Sequence, residues 1–178
     1  MIDSDGLRPT SDRMKETIFN WLSPYIEGSY CLDLFAGSGS LGIEALSRGA
    51  AGVDFIELNK RAAANILDNL INLNFIEKAH IYQLSALDFI NNYLINNAEN
   101  KSRIYDIIWI DPPFALNLQQ NTLDIIAGLF LDNKLIHKDS LIIIESPQIN
   151  FKLKLPSYFS GSKSKSTRYS NIQLIRIF

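Results

Sequence analysis

The sequence predicts an α/β fold: a doubly wound, mostly parallel sheet that ends in an antiparallel hairpin. Three observations predict it. Short apolar runs alternate with stretches of helical periodicity from residue 30 to residue 150. Those runs are apolar on both faces, the pattern of parallel strands covered from two sides. After residue 150 the alternation stops, and two strand-like runs flank a basic stretch. Right-handed crossovers then leave a sheet with helices on both sides as the leading architecture.

The first element is a helix over residues 11–26. Ser11 and Asp12 supply the cap and first-turn chemistry, and Met14, Ile18, Leu22 and Ile26 recur every four residues on one face. Gly28 and Ser29 stop it. Strands follow at 30–35, 53–57, 80–84, 105–110 and 140–145, with helices at 40–49, 60–73, 86–95 and 117–131 between them. Residues 156–162 and 171–178 read as a final pair of strands at the sheet edge, joined by a basic loop. With no internal repeat and no linker-like tract, residues 1–178 form one domain: a leading helix, an alternating core over 30–150 and a basic hairpin over 151–178.

Composition excludes several classes. A chain of 178 residues, 47% hydrophobic and 20% charged, buries a continuous core as a single globular domain. Nine glycines and six prolines fit neither a collagen-like nor a Pro/Gly-rich disordered chain. The single cysteine, Cys31, excludes an intramolecular disulfide and a cysteine-cluster metal site, and reads as a small buried hydrophobe. The two histidines, His80 and His137, lack metal-ligand spacing, so no metal is expected. No apolar run approaches the ~18 residues of a membrane span, and the first residues lack the basic flank and apolar stretch of a secretory signal. The chain reads as cytoplasmic, with no membrane partner.

Net charge is −2, but its distribution is uneven. Residues 151–178 carry six basic side chains (Lys152, Lys154, Lys163, Lys165, Arg168, Arg176) and no acid, whereas the first 150 residues carry 11 basic and 19 acidic groups. Lys163, Lys165 and Arg168 in the basic loop are therefore candidate contacts for a polyanion. A solvated, solubilising tail is the alternative reading.

Two motifs carry chemistry. The first is Asp33-Leu34-Phe35-Ala36-Gly37-Ser38-Gly39-Ser40-Leu41-Gly42, where a strand turns on glycines into a helix. Glycines at 37, 39 and 42 have G-x-G-x-x-G spacing, which lets backbone approach a ligand and aims a helix N-terminus at it. Glu57, 20 residues after Gly37 at the end of the second strand, stands where an acid receives ribose hydroxyls. Taken alone, this fits an NAD-dependent oxidoreductase as well. Asp33 tilts the choice, because a carboxylate at the strand end repels a pyrophosphate and suits an ammonium. S-Adenosylmethionine has an ammonium, a sulfonium and a ribose, and no phosphate.

The second motif is Asp111-Pro112-Pro113-Phe114, directly after the run Tyr105–Ile110. Proline fixes φ and has no N–H, so this turn presents carbonyl oxygens without donors beside them. With the Asp111 carboxylate they make an acceptor-only nest for an –NH2 group. An exocyclic base amine is a poor nucleophile because its lone pair is delocalised. Two acceptors pulling on its hydrogens favour a pyramidal nitrogen whose lone pair is aimed at a methyl donor. Phe114 then stacks on an extruded base. Glu145-Ser146-Pro147, ending the fifth strand, reads as a turn, with a lining role near the target base as the alternative.

On these residues the chain resembles the bacterial 16S ribosomal RNA guanine-N2 methyltransferases, the family that modifies guanine 966. The resemblance runs through Gly6-Leu7-Arg8-Pro9-Thr10-Ser11-Asp12-Arg13 and its helix to Asn20-Trp21-Leu22, then the glycine turn, Leu41–Arg48, Ile56-Glu57 and Asp111–Phe114. Asp-Pro-Pro-Phe by itself also fits adenine-N6 and cytosine-N4 methyltransferases. The Arg-Pro-Thr segment joined to Asp-Leu-Phe-Ala-Gly-Ser-Gly is far narrower.

The resemblance implies a Rossmann-like class I methyltransferase that uses S-adenosylmethionine on the 16S rRNA of the small ribosomal subunit; a monomer is expected, though the sequence itself leaves the oligomeric state open. Asp33, Gly37 and Gly39 would line the methionine end of the cofactor, Glu57 the ribose, and Ser85 and Ala86 the adenine. Asp111 and Pro112 would hold the guanine amine, with Phe114 against the ring. Arg8, Thr10 and Arg13 would close over the cofactor and meet RNA phosphate; helix-start chemistry and surface charge are their alternative. Two departures stand out. Family members usually carry a further basic segment before the Gly-Leu-Arg-Pro-Thr run, whereas Met1 is five residues ahead of Gly6, so a weakened grip on RNA is expected. Ser85 stands where relatives often carry Asn. A non-catalytic RNA-binding relative is a further class, which the retained Asp111 and Phe114 argue against.

Overall fold

The computed structural model describes residues 12–96, 103–132, 135–147 and 151–178. Arg8, Thr10 and Ser11 lie outside the described residues. The chain runs α1 (Asp12–Leu22), β1 (Tyr30–Asp33), α2 (Ser40–Ser47), β2 (Gly52–Ile56), α3 (Lys60–Asn72), β3 (Ala79–Tyr82), α4 (Ala86–Asn96), β4 (Tyr105–Ile110), α5 (Gln119–Leu131), β5 (Ile136–Pro147), β6 (Phe159–Ser166) and β7 (Ser170–Ile177).

The seven strands form one sheet in the order β3-β2-β1-β4-β5-β7-β6. β1 to β5 are parallel, and β7 inserts antiparallel between β5 and β6. The expected doubly wound sheet with its antiparallel hairpin is therefore the observed one. Alternation along the strands divides the core in two. Cys31, Val53, Phe55, Ile107, Trp109, Ile143 and Leu174 pack under α1, α2 and α3. Leu32, Ile56, Ile108, Ile142 and Ile175 pack under α4 and α5. Among the described residues no helix is long and apolar enough to cross a membrane.

The leading helix is shorter than its periodicity predicts. It ends at Leu22, not residue 26. Pro24 accounts for this: it has no N–H to continue the ladder and disfavours helical backbone at Ser23. Ile26 is buried all the same, delivered to the core by the turn that follows. Met14, Ile18 and Leu22 form the buried stripe as expected, joined by Phe19, whose ring centroid lies 6.1 Å from that of Trp109.

The hairpin also departs from its sequence reading. Lys163 and Lys165 are in strand β6, which begins at Phe159 and extends to Ser166. Only Arg168 is in the connection. The alternation here is Ser-Lys-Ser-Lys, whose polar surface hides an edge strand paired on one side only.

Gly42 shows why α2 sits where it does. A Cβ at this position would lie 2.2 Å from Phe55 Cε1, 2.6 Å from Phe55 Cζ and 2.9 Å from Val53 Cγ1. The helix thus packs on β2 through a bare backbone. Gly42→Ala is expected to lose at least the ~1–3 kcal/mol of an overpacked core, read as a lower urea midpoint. An unchanged midpoint would mean that α2 can move off the sheet at no cost.

Candidate active site

In a parallel sheet of this kind ligands bind outside the carboxyl ends of the strands, where the strand order reverses. Here that point lies between β1 and β4. Asp33 closes β1 and Asp111 follows the last residue of β4, so the two motifs flank the same crevice. Asp33 and Trp109 are register partners. Asp111, two residues beyond Trp109, keeps its parity and belongs to the α1 side of the sheet.

The glycine turn is built from backbone geometry. Gly37 has φ 54° and Gly39 φ 77°, left-handed values that a side chain would strain. Ala36 N–H donates to Ile56 O at 3.0 Å, and Gly39 N–H to Ala36 O at 2.7 Å. Gly39 is the N-cap of α2, with no side chain over the helix end. A Cβ on Gly39 would meet Ile66 Cγ1 at 3.0 Å, so α3 braces the turn from behind.

Glu57 is tied to this turn. Its Oε2 accepts from Gly37 N at 2.7 Å and its Oε1 from Asn59 N at 2.7 Å. Each carboxylate oxygen keeps a second lone pair for a hydroxyl. Beyond the ribose contact expected from its spacing along the chain, the fold gives this acid a role in holding the glycine turn and the start of α3.

Asp33 is more deeply placed than a carboxylate open to the crevice would be. It is 2% exposed, and the backbone N–H groups of Gly42 and Phe35 donate to it. Its Oδ2 is buried without a partner. Burial is the main reason its pKa is pushed up to about 7, the amide hydrogen bonds opposing and Glu57 adding to the rise. A buried acceptor lacking a donor, beneath the glycine turn, fits a ligand that brings a cation or N–H.

Ser85 also has a structural part. Its Oγ accepts from Asp88 N at 3.1 Å and donates to Asp88 Oδ2 at 2.7 Å, capping α4. The hydroxyl proton is committed to that cap, so a purine at this edge would meet backbone around buried Ala86 rather than a side-chain donor.

At β4, Pro112 is buried, and Asp111 and Phe114 are half-buried. Phe114 opens a single 3-10 turn, Phe114–Leu116, closed by Asn117 at φ 49°. Leu116 N–H donates to Pro113 O at 3.0 Å, which leads the chain from the two prolines directly into α5. Trp109 is fully buried, as a core residue should be.

One of the basic candidates, Arg168, lies at the same edge. Ser170 of β7 is opposite Pro147, the last residue of β5, so the β6–β7 turn lies at the carboxyl edge of the sheet. Thr167 Oγ1 shapes that turn by accepting from Ser170 N at 3.0 Å. Arg168 at its tip is exposed and sits 5.6 Å over the Tyr169 ring. Lys163 and Lys165 are exposed on β6, opposite Leu174 and Ile172 and hence on the α1 side. Arg13 is exposed in the first turn of α1.

One site residue reads as a turn in the sequence. Glu145 is half-buried and hydrogen-bonds both Ser170 and Asp111. Its signal is an acid directly after the apolar run Leu141–Ile144, next to Asp111 only once β4 and β5 are paired. His80 and His137 are structural: His80 Nδ1 is 3.2 Å from Asp54 Oδ1 and His137 Nε2 3.0 Å from Asp106 Oδ1. Among the described residues no group of three or more metal-ligating side chains converges.

A sheet of this order, with a glycine turn at β1 and Asp-Pro-Pro-Phe at β4, defines a class I methyltransferase. The family described as "Conserved hypothetical protein 95" matches residues 1–176. The chain is 41% identical over 168 residues to ribosomal RNA small subunit methyltransferase D of Haemophilus influenzae, covering 94% of this chain and 81% of the relative. It is 37% identical over 163 residues to the protein of that name from Escherichia coli, covering 92% and 76%. The solved structure of yhhF from Escherichia coli superposes with a TM-score of 0.82 at 35% identity, covering 98% of this chain and 89% of that one. The chain belongs to the ribosomal RNA small subunit methyltransferase D family. That membership removes the oxidoreductase reading left open by the glycine spacing.

Proposed function

We propose that this protein transfers a methyl group from S-adenosylmethionine to the exocyclic N2 amine of a guanine, the counterpart of guanine 966, in the 16S rRNA of the small ribosomal subunit, acting as a cytoplasmic monomer. The observation that carries this reading is the position of Asp111. It is held by a buried strand and two prolines at the switch point, one strand away from Asp33. The names of the relatives support ribosomal RNA as the substrate class.

When bound, the cofactor would supply an electrophilic methyl group on its sulfonium and leave as S-adenosylhomocysteine, the amine giving up one proton to water as the new N–C bond replaces the S–C bond. The chain supplies everything else. Asp33 Oδ2 offers the buried acceptor for the ammonium, Gly37 and Gly39 let backbone approach, and Glu57 receives ribose hydroxyls through its remaining lone pairs. Asp111 and the Pro112 carbonyl accept from the guanine amine, and Phe114 stacks on the ring. Positive charge grows on the amine nitrogen as it is methylated, so an ionised acceptor stabilises the transition state more than the ground state. Thr10 and Arg8 are assigned to the cofactor and RNA from sequence alone.

The direct test is methyl transfer to small subunits lacking the modification, followed by nucleoside mapping. N2-methylguanine is the expected product; N6-methyladenine or N4-methylcytosine would move the chain to the rival amine chemistries. Naked 16S rRNA in parallel reports whether the assembled subunit is required.

Lys163, Lys165, Arg168 and Arg13 form the basic rim proposed to meet RNA phosphate. Neutralising Lys163, Lys165 and Arg168 together is expected to weaken RNA binding and to flatten its log–log salt slope by about 2, near 0.7 per lost phosphate contact on single strands. An unchanged slope in the triple variant returns this hairpin to a solubilising role.

A further inference from the structure

Asp33 Oδ2 and Trp109 Nε1 are both buried without a hydrogen-bond partner. They are of opposite kinds. The carboxylate oxygen needs a donor, and the indole N–H, a donor only, needs an acceptor. They are also neighbours: Asp33 on β1 and Trp109 on β4 are register partners. Asp33 has the parity of Cys31, so both side chains belong to the α1 face of the sheet. Gln119 and Thr122, whose side-chain polar atoms also lack partners, are on α5, over the opposite face. Interiors leave few buried polar groups unpaired, and here a donor and an acceptor on adjacent strands do not satisfy each other.

We propose that this pair is the receptor for an α-amino acid head: Asp33 Oδ2 accepts from the ammonium of S-adenosylmethionine, and Trp109 Nε1 donates to its carboxylate. The inference rests on the reading of Asp33 as the ammonium site, and it adds a residue that the sequence places only in the core. An α-amino acid carries its donor and its acceptor on one carbon, so its receptor must offer one of each close together. Adjacent strands are ~4.8 Å apart, and register partners present their side chains at that spacing. The pair lies at the carboxyl end of β1, at the switch point between β1 and β4 where ligands bind in such sheets.

The chemistry of the two atoms narrows the ligand. A phosphate would suit the indole but be repelled by Asp33, and a simple cation would leave the indole unpaired. A zwitterionic head satisfies both. The indole is also held still, because Trp109 is fully buried with its ring centroid 6.1 Å from that of Phe19. Its N–H therefore needs no ordering when the ligand arrives. Both residues are buried, so a head seated between them is shielded from water, which strengthens hydrogen bonds to its charges.

The test uses the full chain and two readouts that need no RNA. The first is the indole N–H resonance of Trp109 by nitrogen-15 NMR, told apart from that of Trp21 with Trp21→Phe. Saturating S-adenosylhomocysteine, which keeps the amino acid head, is expected to move it downfield; methylthioadenosine, which lacks the head, is expected to leave it in place. The second is the ratio of affinities for S-adenosylmethionine and its decarboxylated form, measured by calorimetry in wild type and Trp109→Phe. Phenylalanine keeps an aromatic ring against Phe19 and removes the N–H. The wild type is expected to prefer S-adenosylmethionine by about tenfold or more, the effect of a hydrogen bond to a charged group, and the ratio is expected to shrink about tenfold in Trp109→Phe. An indole resonance unmoved by saturating S-adenosylhomocysteine overturns the proposal even where Trp109→Phe does not fold, and an undiminished ratio in the folded variant does the same. Failure of the underlying reading is distinguishable. Wild-type cofactor affinity in Asp33→Asn overturns the ammonium site and the paired receptor with it, whereas an affinity that falls in Asp33→Asn beside an unmoved indole overturns only the role of Trp109.

Discussion

Asp111→Asn is expected to lower the single-turnover rate of methyl transfer by about 10²–10³, the usual effect of removing one preorganised partner of a developing charge. Asparagine keeps the shape of the side chain and loses its negative charge. It also turns an –NH2 group, a donor, toward an amine that needs acceptors. The loss belongs in kcat rather than in cofactor affinity, because the interaction strengthens as the nitrogen becomes positive. The turn itself should survive, since it is made by Pro112, Pro113 and the Leu116 to Pro113 hydrogen bond. Asp111→Ala is the poorer variant, as it also opens a hole beside buried Pro112. A near-native rate at saturating cofactor and RNA would make the carboxylate a structural group.

The second large effect is at Asp33, and its sign depends on pH. Burial raises its pKa from 3.8 to about 7 in the folded protein. A raised value means that its contribution to stability is fully present below about 3.8 and is lost as pH rises through about 7. Between pH 5 and pH 8 the loss is on the order of 2–3 kcal/mol, because each pH step over which only the folded form holds the proton is worth ~1.4 kcal/mol. Asp33→Asn should remove that part of the pH dependence, so the urea-unfolding free energies of wild type and variant should converge or cross as pH rises. Parallel curves would mean that the carboxyl group titrates as it does when unfolded.

Cofactor binding runs the other way. An ammonium beside Oδ2 favours the ionised carboxylate, so wild-type affinity should increase with pH up to about 7. Binding below that pH should release protons, which calorimetry in buffers of different ionisation enthalpy detects. Asp33→Asn should bind about 1.5–3 kcal/mol more weakly, the range for a hydrogen bond to a charged group, and should lose the proton release. Unchanged affinity would remove Asp33 from the cofactor site and leave it as a brace for the glycine turn.

The parallel core is legible because its signals are local. Apolar runs such as Tyr105–Ile110 and Leu141–Ile144 report burial on both faces, and the spacing of Gly37, Gly39 and Gly42 reports a strand-to-helix turn whatever the rest of the chain does. Asp111-Pro112-Pro113-Phe114 announces its chemistry through proline's missing N–H and fixed φ, properties of the residues themselves. Pro24 is an equally local signal for the end of α1, masked by the four-residue spacing that continues to Ile26.

Local chemistry along the chain thus specifies the order of elements, the two motifs and their alignment with the ends of strands. Which of those ends meet is settled by strand pairing, a property of distant segments. Asp33 and Asp111 are 78 residues apart and become neighbours because β1 pairs with β4. Glu145 reaches Asp111 because β5 pairs with β4, and Ser170 joins them because β7 enters between β5 and β6. Burial is settled at the same level. A carboxylate's pKa depends on what covers it, and Asp33 is met by Phe35 and Gly42 of its own turn and helix but also by Glu57 from the end of the next strand. Edge placement follows suit: Lys163 and Lys165 carry no pattern that separates a loop from a strand paired on one side, and only pairing with Leu174 and Ile172 makes them β6.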